Sequence, residues 1–225
     1  MQDLIGELRR VRLFTSASDA TLSVLAEHTV VRRLDRGQIL FRAGDPVKDL
    51  YVVRAGKLRV YVSSPRGDEL VLAIRVPGQA LDALSVIDGQ SRSASSQALE
   101  PVGLFAIPAS CVRSQLWSDR GALLAAAVEI AAGMRQLTDT VSDLVFLDLP
   151  RRLAKFLLSN AVDNRGGSLA VTLPGNQSGV AAQLGVTRQS LNRALAGLGR
   201  RGWIDVHGAH VQVRDAAALR RFAIS

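Results

Sequence analysis

The chain has 225 residues, 48 % of them apolar, with 28 Lys and Arg against 20 Asp and Glu and a formal net charge of +8. That length has room for two modest domains with real cores. The single Cys, Cys111, excludes an internal disulfide and a four-Cys iron–sulfur cluster. The charge is segregated: residues 1–149 hold 17 basic and 17 acidic side chains, residues 150–225 hold 11 and 3, so the whole excess lies in the last third. A neutral module joined to a basic one is the electrostatic footprint of a sensor joined to a nucleic-acid binder. The N-terminus lacks a basic segment followed by an apolar one, and apolar runs fall far short of about 18 residues, so neither a signal peptide nor a membrane helix is expected. The expectation is a soluble, cytoplasmic protein with no membrane partner.

In chain order, residues 4–29 are expected to be helical, with Leu4, Leu8, Leu22 and Leu25 as apolar positions. Short strands broken by Gly turns follow: Val30 to Leu34, Gln38 to Phe41, Leu50 to Val53, Lys57 to Val62 and Leu70 to Val76, with one or two more within Ala98 to Ile107. Leu58, Val60 and Val62 alternate with Lys57, Arg59 and Tyr61, the pattern of a half-buried strand. Many short strands at this spacing predict an antiparallel barrel or jelly roll.

Leu123, Ala127, Ile130, Met134, Leu137, Val141 and Leu144 then recur at spacings of 4, 3, 4, 3, 4 and 3. This is an a/d heptad seam. A helix from Ser118 to Phe146 would be roughly 40 Å long at 1.5 Å per residue. Packing on its own roll is one use for that seam. A parallel two-helix dimer is preferred, because the spacing persists past the length of one small barrel. Pro150, after Asp148 and Leu149, ends the periodicity and marks a hinge. The expected domains are a sensor over 1–117, a dimerisation helix over 118–147 and a DNA-binding domain over 148–225.

Arg151 to Val162 is expected as a helix, Asp163 to Gly167 as a loop, and Leu169 to Leu173 as a strand. The next stretch reads as a helix-turn-helix. Ala181 is the small residue where two helices cross, Gly185 is the turn, and Val186, Leu191 and Leu195 pin the second helix. Thr187 is placed as that helix's N-cap. Arg188, Gln189, Ser190, Asn192 and Arg193 follow, all of types that bond base edges and phosphates. A plain helical hairpin with basic solvated residues is the alternative. Trp203 to Val206 and Val211 to Val213 are expected as the two strands of a wing.

A roll, a long helix and a winged helix-turn-helix, an α+β arrangement, resemble the cyclic-AMP receptor protein and fumarate–nitrate regulator (Crp/Fnr) family of bacterial transcription factors. The resemblance spans essentially the whole chain. It is carried by LVFLDLPRRLA at 144–154, GVTRQSLNRAL at 185–195 and QSRSA at 90–94. It implies a cyclic-nucleotide-binding-like roll and a sequence-specific regulator that binds pseudo-palindromic double-stranded DNA as a homodimer. RNA polymerase is a further candidate partner. It also implies that Arg188 and Arg193 read guanine, as the forked guanidinium suits its O6 and N7. Gln189 stands where the family often has Glu, so a different base is expected there. Thr187, Ser190 and Asn192 are placed on phosphates or as positioning contacts, and Arg200, Arg201 and His207 on the backbone.

The family's phosphate-binding cassette maps onto Leu81, Asp82, Arg92 and Ser93, and its adenine-facing pair onto Leu137 and Thr138. Arg92 and Ser93 are donors suited to a cyclic phosphate. Leu81 replaces a Gly and Asp82 a Glu, and Leu137 also belongs to the seam. Cyclic AMP, another small effector and no ligand at all stay open, and Arg92 pairing with Asp82 is a further possibility. No metal is expected, since His28, His207 and His210 form no His-x-His pair. Cys111 reads as a core residue, with redox sensing as the alternative. No nucleophile–base–acid set is evident, so no enzyme is expected. The competing reading is a β-roll small-molecule-binding or enzymatic module with a nonspecific or architectural DNA-binding tail.

Overall fold

The computed structural model describes residues 2–164, 168–173 and 176–224. It divides into two compact units, Met1–Ser64 with Leu72–Gln136, and Pro65–Val71 with Leu137–Ser225.

The first unit opens with α1 (Gln2–Arg9), a 3-10 turn (Arg12–Phe14) and α2 (Asp19–Glu27), rather than one helical region over 4–29. Val11, Leu13, Phe14 and Ala17 in this connection are all buried. Ser18 then starts α2 as N-cap, its hydroxyl accepting from Thr21 N at 3.3 Å.

The strands are β1 (Val30–Leu34), β2 (Ile39–Phe41), β3 (Asp49–Ala55), β4 (Leu58–Ser63), β5 (Glu69–Arg75), β6 (Ala80–Leu81), β7 (Ser95–Ala98) and β8 (Val102–Pro108). They form two antiparallel four-stranded sheets, in the orders β1-β8-β3-β6 and β2-β7-β4-β5. The expected roll is present. Two short elements escaped the periodicity: β6 and the helix α3 (Ala83–Asp88), joined at Asp82. A helix α4 (Ala109–Ser118) also follows β8 directly.

β3 and β8 are buried on both faces, because successive strand side chains point to opposite sides. Leu50, Val52, Phe105 and Ile107 face the helices with Phe14, Leu22, Leu25 and Val112. Tyr51, Val53, Leu104 and Ala106 face the roll interior with Phe41, Leu58 and Leu81. On β4, Tyr61 departs from the expected polar face: it is buried, with the Arg59 guanidinium 4.3 Å over its ring.

The long helix α5 spans Arg120–Phe146. Asp119 starts it, accepting from Gly121 N at 2.9 Å and Ala122 N at 3.1 Å while also holding Ser18 N at 2.8 Å. These N–H donors, Ser18 first, keep its carboxyl well below the usual carboxylate range. Ala122 and Ala126 join the helical core.

The second unit contains α6 (Leu149–Ser159), β9 (Val162–Asn164), β10 (Ser168–Thr172), α7 (Asn176–Gln183), α8 (Arg188–Arg200), β11 (Ile204–His207), β12 (His210–Val213) and α9 (Ala216–Ile224). Asp148 caps α6, accepting from Arg151 N at 3.0 Å, with Pro150 in the first turn where no N–H is needed. The expected helix over 151–162 therefore starts earlier and stops at Ser159. Val162–Asn164 is a strand paired with β10, Asp163 opposite Leu169, where a loop was expected. Of that loop, residues 165–167 lie outside the described residues. The sheet order is β11-β12-β10-β9. Its inner face and α6, α7, α8 and α9 share one core, including Leu153, Leu157, Val171, Leu191, Leu198 and Leu219. The wing strands fall within one residue of expectation; α9 had not been anticipated.

One turn tests this reading of the roll. Gly56, between β3 and β4, has φ +81°, and a Cβ there would stand 2.4 Å from the Pro101 carbonyl oxygen. Gly37 has φ +86° and nothing within 4 Å of the same position. Gly37→Ala should cost about 1–2 kcal/mol for the left-handed backbone alone. Gly56→Ala should cost clearly more in urea unfolding, because backbone must shift as well. Equal losses would contradict the packing described.

Candidate functional site

In the second unit the functional candidates sit on α8, and the turn before it is built for aiming that helix. Gly185 takes φ +64°, a conformation Gly adopts without steric cost. Gly185 N bonds Ala182 O at 3.3 Å, and Val186 N bonds Ala181 O at 2.9 Å. This pair of bonds is a Schellman close to α7. Ala181 is buried, as its small size at the crossing requires. Thr187 is the N-cap of α8, accepting from Ser190 N at 3.2 Å. The Thr187 and Ser190 hydroxyls also bond each other at 3.0 Å, so both side chains serve the helix start.

Leu191, Ala194, Leu195 and Leu198 bury one face of α8. The opposite face exposes Arg188, Gln189, Asn192 and Arg193. The structure thus brings together four of the six candidates as a free row, with Thr187 and Ser190 at its base. Arg200 and His207 are exposed too. Arg201 is exposed as well, with its guanidinium 4.9 Å from the Trp203 ring and 4.7 Å from Phe222. Its aromatic neighbour Phe222 comes from α9, which the sequence reading lacked. In the wing, His210 Nδ1 is 3.2 Å from Thr172 Oγ1.

Along α5, only Ala122, Ala125 and Ala126 are buried. The heptad residues Leu123, Met134, Leu137, Val141 and Leu144 are 37–67 % exposed. Ala127 is exposed and Ile130 half-buried. Thr138, beside Leu137, is exposed as well.

In the first unit the cassette residues Leu81, Asp82, Arg92 and Ser93 do meet. Leu81 is fully buried in the roll interior, its side chain absorbed by the core. Asp82 has φ 49° and ψ 48°, the one positive φ outside glycine among the described residues. Its carboxylate accepts from Ser93 Oγ at 3.1 Å and from Ser93 N at 3.4 Å. Arg92 is 3 % exposed. Its Nη1 stands 3.7 Å from Asp82 Oδ2 with no hydrogen bond, and its Nη2 donates to the Asp49 carbonyl.

The guanidinium also lies 4.3 Å from the Phe41 ring and 5.4 Å from Tyr51, two rings stacked at 6.0 Å. Burial lowers the Arg92 pKa, and the charge of Asp82 works in the opposite direction. Phe41, Asp49 and Tyr51 were not among the sequence candidates. Their only signal was a pair of aromatics on strands, which core packing explains equally well.

Cys111 is partly buried against the helical core, and burial pushes its thiol pKa up. That disfavours the thiolate which oxidant sensing uses. Among the described residues, no group of three His, Cys, Asp or Glu is placed to hold a metal ion. No helix among them is long and apolar enough to cross a membrane.

A cyclic nucleotide-binding domain model matches residues 31–119, and a Crp-like helix-turn-helix domain model matches residues 151–222. The CRP-like cAMP-activated global transcriptional regulator of Mycobacterium tuberculosis is 30 % identical over 220 residues, covering 96 % of this chain and 98 % of the regulator. The fumarate and nitrate reduction regulatory protein of Salmonella typhimurium is 26 % identical, covering 84 % of this chain and 77 % of its own length. A CRP/FNR-family transcriptional regulator from Thermus thermophilus shares the fold, with TM-score 0.70, 22 % identity and coverage of 87 % of this chain and 99 % of that one. These relatives are transcription regulators and not enzymes.

Proposed function

This chain belongs to the Crp/Fnr family of DNA-binding transcription regulators, and on that premise we propose that it works as a homodimer whose two α8 helices read a two-fold-related operator. The exposed row Arg188, Gln189, Asn192 and Arg193, within residues 150–225 that carry the chain's whole positive excess, is the observation that carries the reading. Arg188 and Arg193 each present a fork to guanine O6 and N7. Gln189 accepts and donates, which suits adenine better than the cytosine amine that a carboxylate would take. Thr187, Ser190 and Asn192 contact or position phosphates, and the cap shared by Thr187 and Ser190 fixes where α8 starts.

The dimer forms along α5. Leu123, Ala127, Ile130, Met134, Leu137, Val141 and Leu144 meet their counterparts as a and d positions of a parallel coiled coil. Two-fold symmetry then sets half-sites about 34–36 Å apart, one helical turn. Regulation is a population shift between a pair of α5 helices that holds both α8 helices at that spacing and one that does not. A small effector in the roll biases the balance only through its different affinity for the two states. The protein acts on the chromosome, in the cytoplasm.

Two experiments test this. On a selected operator, Arg188→Ala and Arg193→Ala should each lose about 1–3 kcal/mol of binding free energy, with little change on scrambled DNA. Near-equal losses on both DNAs would reduce these side chains to phosphate contacts and favour an architectural binder. In sedimentation velocity, Val141→Asp with Leu144→Asp should turn a dimer into a monomer of unchanged helix content. A variant that stays dimeric would rule out the seam.

A further inference from the structure

We propose that the tip of the wing is a metal site: His207 and His210 together hold one divalent transition-metal ion, of the zinc, nickel or copper class, through their imidazole nitrogens. The pairing comes from the hairpin. β11 and β12 are joined through Gly208 and Ala209, and Gly208 has φ +61°, the left-handed conformation that so tight a turn requires. This turn sets His207 directly opposite His210 in the ladder. Directly opposed residues of antiparallel strands share a face, with Cβ atoms about 4.5–5.5 Å apart. Two imidazoles on such a base can close on one ion at a metal–nitrogen length of about 2.0–2.1 Å. A His-x-His pair reaches the same proximity by alternation along one strand. Here a turn supplies it, so the order of the histidines along the chain carried no sign of it.

The shared face is the outer one. Val211, next to His210, points the other way and is fully buried in the core, while both histidines are exposed. An ion reaches them from water, and no buried charge has to form.

His210 is also held in place. β12 lies between β11 and β10, so its second neighbour in the row is Thr172, whose Oγ1 is 3.2 Å from His210 Nδ1. A metal-bound imidazole donates its other ring N–H to such an oxygen, which fixes the tautomer and the ring orientation. With the Nδ1–H given to Thr172, the lone pair of His210 is on Nε2, where the ion binds.

The donor set decides the class of ion. Neutral imidazole suits zinc, nickel and copper, whereas magnesium and calcium are held by carboxylate and carbonyl oxygens. The carboxylate two residues back along β11 on the same face, Asp205, already accepts from Arg214 Nε at 2.7 Å. The protein therefore supplies two nitrogen ligands, and water completes the coordination.

This site depends on the hairpin alone and not on the DNA-binding reading, and its test uses no DNA. Zinc chloride is titrated calorimetrically into the full-length protein without an affinity tag, and into His207→Ala, His210→Ala and Thr172→Val. Magnesium chloride is the comparison, and circular dichroism is the folding check. The expected result is saturable zinc binding at one ion per protomer and no saturable heat from magnesium. Thr172→Val keeps a β-branched residue in the strand and removes the acceptor, so it should weaken zinc binding about tenfold with the stoichiometry kept. Each His→Ala removes a metal bond outright and should weaken it more. Nitrogen-15 NMR of the histidine rings locates the ion: zinc should shift His210 Nε2 and leave its Nδ1 protonated, while His28, whose Nδ1 is 2.9 Å from the Val24 carbonyl oxygen, should not respond. No saturable zinc binding by the native chain, binding that both folded His variants retain, an equal response to magnesium, or a zinc shift confined to His28 would each overturn the proposal.

Discussion

A helix of 27 residues that buries only three alanines on its own chain is the constraint on which the rest of this protein depends. Asp119 fixes where α5 begins, and Ala122 and Ala126 are small enough to seat that first stretch in the helical core. Beyond them the heptad residues Leu123, Met134, Leu137, Val141 and Leu144 are 37–67 % exposed. In the proposed dimer this stripe meets its counterpart, one α8 becomes two, and one half-site becomes an operator.

The two units solve opposite electrostatic problems. In the second, cationic side chains on α8 stay in water, where a polyanion can reach them and release its counterions. In the first, the Arg92 cation is taken out of water and neutralised in place, by Asp82, by the Asp49 carbonyl and by the faces of Phe41 and Tyr51. The same residue type is thus exposed in one unit and buried in the other. What separates them is burial, which a motif does not report.

Local signals made much of the fold readable. The turn at Gly185, the cap at Thr187 and the 3–4 spacing of Leu191, Leu195 and Leu198 are fixed by neighbours within a few residues, so α8 emerged with its start placed correctly. The roll was legible because Gly-bearing turns and β-branched runs recur at short intervals. Elements whose cause is distant were not. The 3-10 turn between α1 and α2 places Val11 and Phe14 in a core assembled from β3, β8 and α4. β9 exists through pairing with β10, and β6 is two residues long, too short for any period to register.

The same distinction separates the two candidate sites. Exposed residues on α8 could be named from sequence because one helix carries them all. The setting of Arg92 could not, since Phe41, Asp49 and Tyr51 lie 41 to 51 positions earlier and reach it only through the roll. The aromatic neighbours of Arg201, Trp203 and Phe222, were equally out of reach, since Phe222 belongs to α9.

The central claim, a two-fold dimer reading DNA through Arg188 and Arg193, is met most directly by selecting bound sequences from a random DNA pool with the full-length protein. The account predicts an inverted repeat whose half-sites lie about 10–10.5 base pairs apart, centre to centre, each with guanines at the two Arg positions. A single unrepeated motif, or a pool that stays unenriched while binding falls steeply with salt, would contradict it.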